Sequence, residues 1–210
     1  MRKEYLTVSR EASAEFEEKK SRFIATVRPV ACEEEAHGFV EALRSKYWNA
    51  THNVYAYYIC GENTQQKFSD DGEPSGTAGL PVLEAIRKLD AEDVAVVVTR
   101  YFGGTLLGAS GLVRAYGKSA TLGLEAAGIV KRQLCIEAGI AMDYSLLGKL
   151  QALAASKGYR VKDTIYAQDV DMYLYIPVDE FEAFSALVTE TTNAKAIVYA
   201  GDKSYITIGV

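Results

Sequence analysis

The chain has few of the side chains that hold transition metals or build disulfide frameworks. Its 210 residues include three cysteines, Cys32, Cys60 and Cys135, which lie far apart with no CxxC pair. An odd number of scattered cysteines is typical of small hydrophobic residues in a reducing compartment. The two histidines are too few for a histidine-based metal site. No metal or other cofactor is therefore predicted, and His37 is expected to have an ordinary structural role.

Long hydrophobic runs are also missing. No apolar stretch approaches the roughly 20 residues that a helix needs to cross a bilayer. The first residues, MRKEYLTV, lead into alternating polar and apolar positions and contain no hydrophobic segment of the secretory type. We therefore expect a cytoplasmic protein without membrane contact. A composition of 49% apolar and 24% charged residues is that of a globular chain, long enough for one large domain or two small ones.

The charge is acidic overall, but basic residues are concentrated in two stretches. A formal net charge of −5 argues against a general nucleic-acid binder. However, no acidic residue lies between Asp93 and Glu125, a stretch that contains Arg100, Arg114 and Lys118. A second acid-free stretch, residues 19–32, contains Lys19, Lys20, Arg22 and Arg28. These cations could form one positive surface, or they could be scattered solvated charges.

Hydrophobic spacing divides the first 130 residues into alternating strands and helices. Period-two alternation predicts strands, and apolar residues three or four apart predict helices. The five consecutive apolar residues 94–98 indicate a strand that is covered on both faces. The predicted elements are strands within residues 1–30, a helix from 32 to about 50, a strand at 52–60, a polar loop at 61–76, a helix from about 80, the strand at 94–98 and a helix at 110–127.

The last 80 residues show a simpler order of strand, helix, strand, strand, helix, strand. Asp143 and Asp179 are predicted to cap the two helices, and the last strand, residues 196–208, is expected to be interrupted at Gly201-Asp202. This βαββαβ order is that of the ferredoxin-like fold. We therefore predict an α+β protein of two domains, residues 1–128 and 131–210.

Two glycine-rich segments adjoin predicted helix starts. They are SDDGEPSGTAGLP at residues 69–81 and RYFGGTLLGASGLVRAYGK at residues 100–118. Backbone amides at a helix start attract anions such as phosphate, and glycine allows a ligand to approach the main chain. We therefore expect an anion or nucleic-acid site made from Arg100, Gly103, Gly104, Ser110, Arg114 and Lys118, with Lys20 and Arg22 as further candidates. The alternative is that the glycines only permit sharp turns and close packing.

Known catalytic patterns are missing from both segments. Neither fits GxxxxGK[ST] or GxGxxG, and no convincing Ser-His-Asp triad can be assembled around His52. Asp70, Asp71 and Glu73 form an acidic cluster that could ligate a hard cation or act as acid and base. Solvated loop charges explain the same residues.

The two segments resemble the signature of the IMPACT/YigZ family. The resemblance is carried by DDGEPSGTAG at residues 70–79, by RYFGG at 100–104 with Leu107-Gly108, and by KSRFIA at 20–25. It implies a first domain similar to domain four of elongation factor G and to the second domain of a small-subunit ribosomal protein. It also implies a ferredoxin-like second domain similar to domain five of that factor. Eukaryotic members of the family regulate translation by competing for a ribosome-associated activator of an initiation-factor kinase.

Three functions remain open at the level of the sequence. The first is a non-enzymatic binding protein of the translation apparatus, whose partner is RNA, the ribosome or a translation-associated protein. Tyr173 and Tyr175 could then stack on bases, although packing in the core or an interface is the commoner fate of such tyrosines. The second is an enzyme or ligand-binding protein that acts on a phosphorylated small molecule. The third is a pure protein–protein adaptor.

Overall fold

The computed structural model describes residues 2–60 and 64–208, which form two compact units. One unit comprises residues 5–131, and the other comprises residues 132–208 with the described residues before Tyr5. Strands and helices occur in both, so the protein is a two-domain α+β protein. Among the described residues, no helix combines the length and the apolar character needed to cross a membrane.

The unit of residues 5–131 is built on an antiparallel sheet with helices on both faces. Its elements are β1 (Glu4–Val8), β2 (Ala12–Glu18), β3 (Ser21–Pro29), α1 (Glu33–Lys46), β4 (His52–Cys60), β5 (Thr64–Ser69), α2 (Gly79–Lys88), β6 (Val94–Tyr101) and α3 (Ala109–Ala127). The strand order of the sheet is β2-β3-β6-β4-β5.

The central strand β6 is covered on both faces, as its uninterrupted apolar sequence predicts. Val94, Val96 and Val98 pack in the core that also contains the apolar residues of α2 and α3. Ala95 and Val97 pack in the separate core beneath α1. Since all five are fully buried, β6 holds the residues that follow it in a fixed position between the helices.

The unit of residues 132–208 follows the predicted order of strand, helix, strand, strand, helix, strand. Its core lies between the two helices and one face of the sheet, and it includes Leu150, Met172 and Phe184. The elements are β7 (Ile129–Met142), α4 (Tyr144–Ser156), β8 (Arg160–Tyr166), β9 (Val170–Pro177), α5 (Phe181–Thr192) and β10 (Ile197–Ile208). The strand order within this unit is β7-β9-β8, with β10 also pairing with β7.

Some local predictions are wrong. Within the predicted loop 61–76, residues 61–63 lie outside the described part of the chain, but Thr64–Ser69 form strand β5. This strand has exposed and polar positions at the sheet edge, so it lacks the apolar alternation that marks a half-buried strand. Strand β10 continues through Gly201-Asp202 without interruption.

The predicted helix caps are corrected as well. Asp143 occupies the N-cap position of α4, but its side chain makes no capping hydrogen bond. For α5 the N-cap residue is Glu180, while Asp179 accepts a hydrogen bond from Nζ of Lys3 at 2.8 Å. No disulfide joins any two of the three cysteines in the described part of the chain. His37 lies half-exposed on α1 with its Nε2 3.3 Å from Oε1 of Glu33.

Candidate functional site

Arg100 and Glu73 form a buried ion pair beneath the second glycine-rich segment. Arg100 lies near the end of β6, and its Nη1 donates to Oε1 of Glu73 at 2.5 Å; the two side chains are 5% and 4% exposed. Nη2 donates to Oγ of Ser21 at 3.2 Å, and the guanidinium lies 5.4 Å from the ring centre of Phe23 and 5.5 Å from that of Phe102. Because Glu73 already compensates its charge, Arg100 is not a free cation at the surface.

Tyr116 and His52 complete the surroundings of Glu73. The Tyr116 hydroxyl donates to Oε1 of Glu73 at 2.8 Å. Burial, and then the adjacent carboxylate, raise the pKa of Tyr116, so this phenol stays protonated and remains a donor. His52 Nδ1 lies 2.8 Å from the backbone oxygen of Asp71, which can only accept, so Nδ1 carries a proton. His52 Nε2 lies 3.8 Å from Oε1 of Glu73.

Asp70 occupies the start of helix α2, where an anion site was predicted. Its Oδ1 accepts hydrogen bonds from the amides of Ala78 and Gly79 at 3.0 and 2.8 Å, and its Oδ2 accepts from the amide of Gly76 at 2.9 Å. These are the donors that an external phosphate would need. The chain therefore supplies its own anion at this helix start.

Asp71 is likewise used within the fold. Its Oδ1 accepts from Nη2 of Arg44 at 3.0 Å, and its Oδ2 accepts from the amide of Asn53 at 2.6 Å. With Asp70 and Glu73 also bonded internally, the interpretation of the acidic cluster as solvated loop charges is wrong. Residues 2–60 and 64–208 contain no group of three or more acidic, cysteine or histidine side chains placed to hold a metal ion.

The glycines of the second segment shape the turn that leads into α3. A Cβ on Gly103 would lie 2.0 Å from the carbonyl carbon of Lys20, so the β2–β3 turn passes directly against the backbone here. Gly104 and Gly108 have φ angles of 80° and 71°, which favour glycine. Gly108 is the N-cap of α3 and supplies no side chain to its first amides, and Ser110 is exposed in the first turn.

Basic side chains from two elements line a cavity of about 320 Å³ beside α3, which we call the basic groove. Arg114 and Lys118 enter from α3, and Lys19 enters from the β2–β3 turn. Lys118 Nζ lies 4.8 Å from the ring centre of Phe16. No carboxylate within the described residues pairs with these three cations, although Glu18 also lines the groove.

The other basic candidates lie outside the groove lining. Lys20 is exposed in the β2–β3 turn at a φ of 66°. Arg22 donates from Nε and Nη2 to the two carboxylate oxygens of Glu15 at 2.5 and 2.8 Å, and this contact lowers the pKa of Glu15. Of the predicted cations, the structure therefore brings Arg114 and Lys118 together, while Arg100 is buried and Arg22 is paired.

A second cavity, of about 390 Å³, lies on the other side of the α3 start, and we call it the apolar cavity. Arg100 and Glu73 contribute to its floor together with His52 and Thr51, and its walls are mostly apolar. The predicted site did not include its residues Phe102, Leu106, Leu107 and Leu112, although Phe102 and Leu107 belong to the segments that carry the family resemblance. The helical spacing of Leu112 and Tyr116 indicates a shared face of α3, but nothing in the sequence places His52 opposite Arg100, its partner in the β4–β6 register.

Comparison with known proteins assigns these elements to a family. The family model of the Impact N-terminal domain matches residues 19–124, which contain the lining of the apolar cavity and that of the basic groove except Phe16 and Glu18. The chain belongs to the IMPACT family. Within the second unit, residues 140–195 match a family described as a domain of unknown function, DUF1949.

Relatives in this family align with different fractions of the chain. The IMPACT family member YvyE of Bacillus subtilis is 43% identical over 203 residues, covering 96% of this chain and 93% of its own. Protein IMPACT of Mus musculus is 41% identical over 96 residues, covering 43% of this chain and 30% of its own. A solved structure titled as that of a hypothetical protein is 29% identical, with a TM-score of 0.61 and coverage of 96% and 99% of the two chains.

Proposed function

We propose that this IMPACT family member is a non-enzymatic, cytoplasmic binding protein of the translation apparatus that holds RNA by its phosphates in the basic groove. The observation that carries the proposal is the gathering of Lys19, Arg114 and Lys118 around one groove without a carboxylate partner among the described residues. Cations that pair with no carboxylate of the described residues keep their charge available for phosphate, whereas Arg22 and Arg100 are already paired with Glu15 and Glu73.

The local electrostatics support the same ligand. The acid-free sequence from residue 94 to residue 124 includes the whole of α3 up to its last turn, so the helix carries no carboxylate near the groove. The first amides of α3 lack a side-chain cap and present the positive end of the helix dipole. Glu18 is the one acidic residue in the described lining of the groove. A locally positive surface on an acidic protein favours a specific contact over general adhesion.

Membership of the IMPACT family supports a role in translation. The resemblance implies eukaryotic relatives that regulate translation. One such relative is Protein IMPACT of Mus musculus, which is 41% identical to this chain over 96 residues. We infer RNA, alone or within the ribosome, as the partner because the groove offers point charges suited to phosphates. Binding to a protein of the translation apparatus is the alternative that the experiment must distinguish from binding to RNA.

The test is the salt dependence of binding to a fluorescein-labelled single-stranded RNA of eight nucleotides and to purified bacterial ribosomes. Three phosphate contacts predict that log K falls with log salt at a slope of about −2 for the single strand. Arg114→Ala should weaken binding and reduce the slope by about one unit or slightly less. Lys88→Ala, which removes an exposed cation on α2, is the matched control and should change neither.

Two results would overturn the proposal. One is the absence of binding to RNA and to ribosomes at low salt. The other is binding that Arg114→Ala and Lys118→Ala leave unchanged. If a phosphorylated small molecule alone stabilises the protein saturably in a thermal-shift screen, the alternative of a ligand-binding protein or enzyme is favoured instead.

A further inference from the structure

We propose that the apolar cavity accepts one unpaired nucleobase of the RNA whose phosphates lie in the basic groove. This inference rests on the proposed function and adds the chemical group that the protein recognises. The cavity volume of about 390 Å³ is in the range of pockets for small organic groups. Such pockets combine apolar walls with a few polar groups, and this cavity has both.

The polar floor is suited to a neutral ligand that donates hydrogen bonds. Glu73 Oε1 accepts from Arg100 and Tyr116, whereas no described residue donates to Oε2. His52 donates from Nδ1 to the backbone oxygen of Asp71, and its Nε2 is an acceptor in the tautomer whose one ring proton is on Nδ1. Arg100 balances the carboxylate charge, so the floor requires no additional cation. Amino and ring N–H groups of nucleobases supply such donors.

The walls provide surfaces on which a flat ring can pack. Phe102 is 46% exposed, and its amide donates to Oγ1 of Thr51 at 3.0 Å, which holds this aromatic residue at the mouth of the cavity. Leu106 is 83% exposed in the turn before α3 and lines the same cavity. Large apolar side chains left exposed beside a cavity mark a binding surface more often than scattered ones do. Base stacking on aromatic side chains is a general mode of single-strand recognition.

The position of the two cavities favours RNA over a free ligand. Leu107 lines both the apolar cavity and the basic groove. On α3, Leu112 faces the apolar cavity, while Gly111 and Arg114 face the groove. A single strand can therefore place a base on one side of the α3 start and its phosphates on the other. A free base would use only the first of these sites.

The experiment compares the full chain and its variants on two probes: an eight-nucleotide oligoadenylate and an abasic ribose-phosphate oligomer of the same length. Phe102→Ala should weaken binding of oligoadenylate about tenfold or more and leave the abasic oligomer unchanged. Leu106→Ala should act in the same direction. Arg114→Ala should weaken both probes by the same factor, since it removes a phosphate contact. Trp48→Ala, which removes a side chain 82% exposed outside the cavity lining, is the control.

The outcomes separate this inference from the proposed function. If the protein binds both oligomers equally and neither Phe102→Ala nor Leu106→Ala affects oligoadenylate, the base site is refuted while the groove is retained. If neither oligomer binds, the proposed function itself fails. If adenosine 5′-monophosphate binds as tightly as the oligomer and Arg114→Ala has no effect, the cavity takes a free nucleotide and the assignment to RNA is overturned.

Discussion

The guanidinium of Arg100 and the carboxylate of Glu73 are joined at 2.5 Å in a place where neither side chain is more than 5% exposed. The pair links the end of β6 to the loop before α2, and its residues are 27 positions apart in the chain. Both residues come from the segments that predict an anion site. Their contact shows that part of this signature holds the fold together, because each charge compensates the other in a place with little water.

Removing Glu73 should destabilise the protein strongly. Glu73→Ala leaves Arg100 buried without its counter-ion, and we expect the free energy of unfolding to fall by about 3–5 kcal/mol. Glu84→Ala removes a carboxylate from the exposed pair with Arg87 and should cost less than about 1 kcal/mol. Urea unfolding of both variants measures the difference.

Equal losses of unfolding free energy in Glu73→Ala and Glu84→Ala would contradict the destabilisation expected from an unpaired buried charge. A double variant that also carries Arg100→Met should recover part of the stability lost in Glu73→Ala, since no unpaired buried charge then remains.

Asp70 should behave as a structural anion for α2. Asp70→Ala removes the acceptor of the Gly76, Ala78 and Gly79 amides, so we expect a loss of about 1–3 kcal/mol in the free energy of unfolding. Asp70→Asn keeps one acceptor oxygen and should lose less. Denaturant unfolding measures both, and Glu125→Ala, an exposed carboxylate on α3, is the control. If Asp70→Ala were as stable as the Glu125→Ala control, the role of Asp70 as a structural anion would be refuted.

Adjacent glycines of the second segment should respond to alanine for different reasons. Gly103→Ala places a Cβ 2.0 Å from the Lys20 backbone, and we expect a loss of about 3 kcal/mol as the β2–β3 turn is displaced. At Gly104 no atom lies within 4 Å of an added Cβ, but the φ of 80° costs an alanine about 1–2 kcal/mol.

Thermal or urea unfolding of the two variants distinguishes these causes. Gly104→Asn should be milder than Gly104→Ala, because asparagine tolerates the left-handed region better. No such recovery is expected for Gly103→Asn. If Gly103→Ala were as stable as the unmodified protein, the close approach of the β2–β3 turn would be refuted.

The stability contributed by Tyr116 should disappear at high pH. Burial raises its pKa above the ordinary value of about 10, so its contribution is complete below pH ~10 and is lost as the pH rises toward the folded value. Tyr116→Phe removes the hydrogen bond to Glu73 and should cost about 1–3 kcal/mol at pH 7. The difference in unfolding free energy between the two proteins should therefore shrink above pH ~10.

Urea unfolding from pH 7 to 11 measures this difference. Subtracting the Tyr116→Phe curve removes the contributions of Tyr57, Tyr159 and Tyr199, whose pKa values are also raised. If the difference in unfolding free energy between the unmodified protein and Tyr116→Phe grew with pH, Tyr116 would not be held in its protonated form by the fold.

Local patterns in the sequence were sufficient for most of the elements. The apolar run of β6 predicts a strand covered on both faces, and the structure confirms it, because burial on both faces needs apolar residues at every position. The βαββαβ order of the second unit is also confirmed, because alternation in β9 and helical spacing in α4 and α5 each mark one buried face. β5 was missed because an exposed edge strand has no apolar alternation, although its partner β4 is the preceding strand in the chain.

The site could be predicted only in part. The segments around residues 70–79 and 100–118 do come together, and the family they resemble is confirmed. Their individual roles depend on contacts that no spacing rule encodes. Asp70 binds the α2 amides because the loop folds back on itself, and His52 reaches the floor of the apolar cavity because β4 pairs with β6.

The sequence by itself determined most of the helices and strands, the two-domain α+β organisation and the glycine positions where the chain turns sharply. These features follow from local periodicity and backbone freedom, which each segment carries on its own. Only the tertiary structure decided which charged side chains form ion pairs within the fold and which have no charged partner among the described residues. Arg100 and Arg114 look equivalent in sequence, but one is buried against a carboxylate and the other lines a groove and pairs with no carboxylate of the described residues. The energy of a charge depends on what lies within a few ångströms of it in space, and folding brings those neighbours from distant parts of the chain.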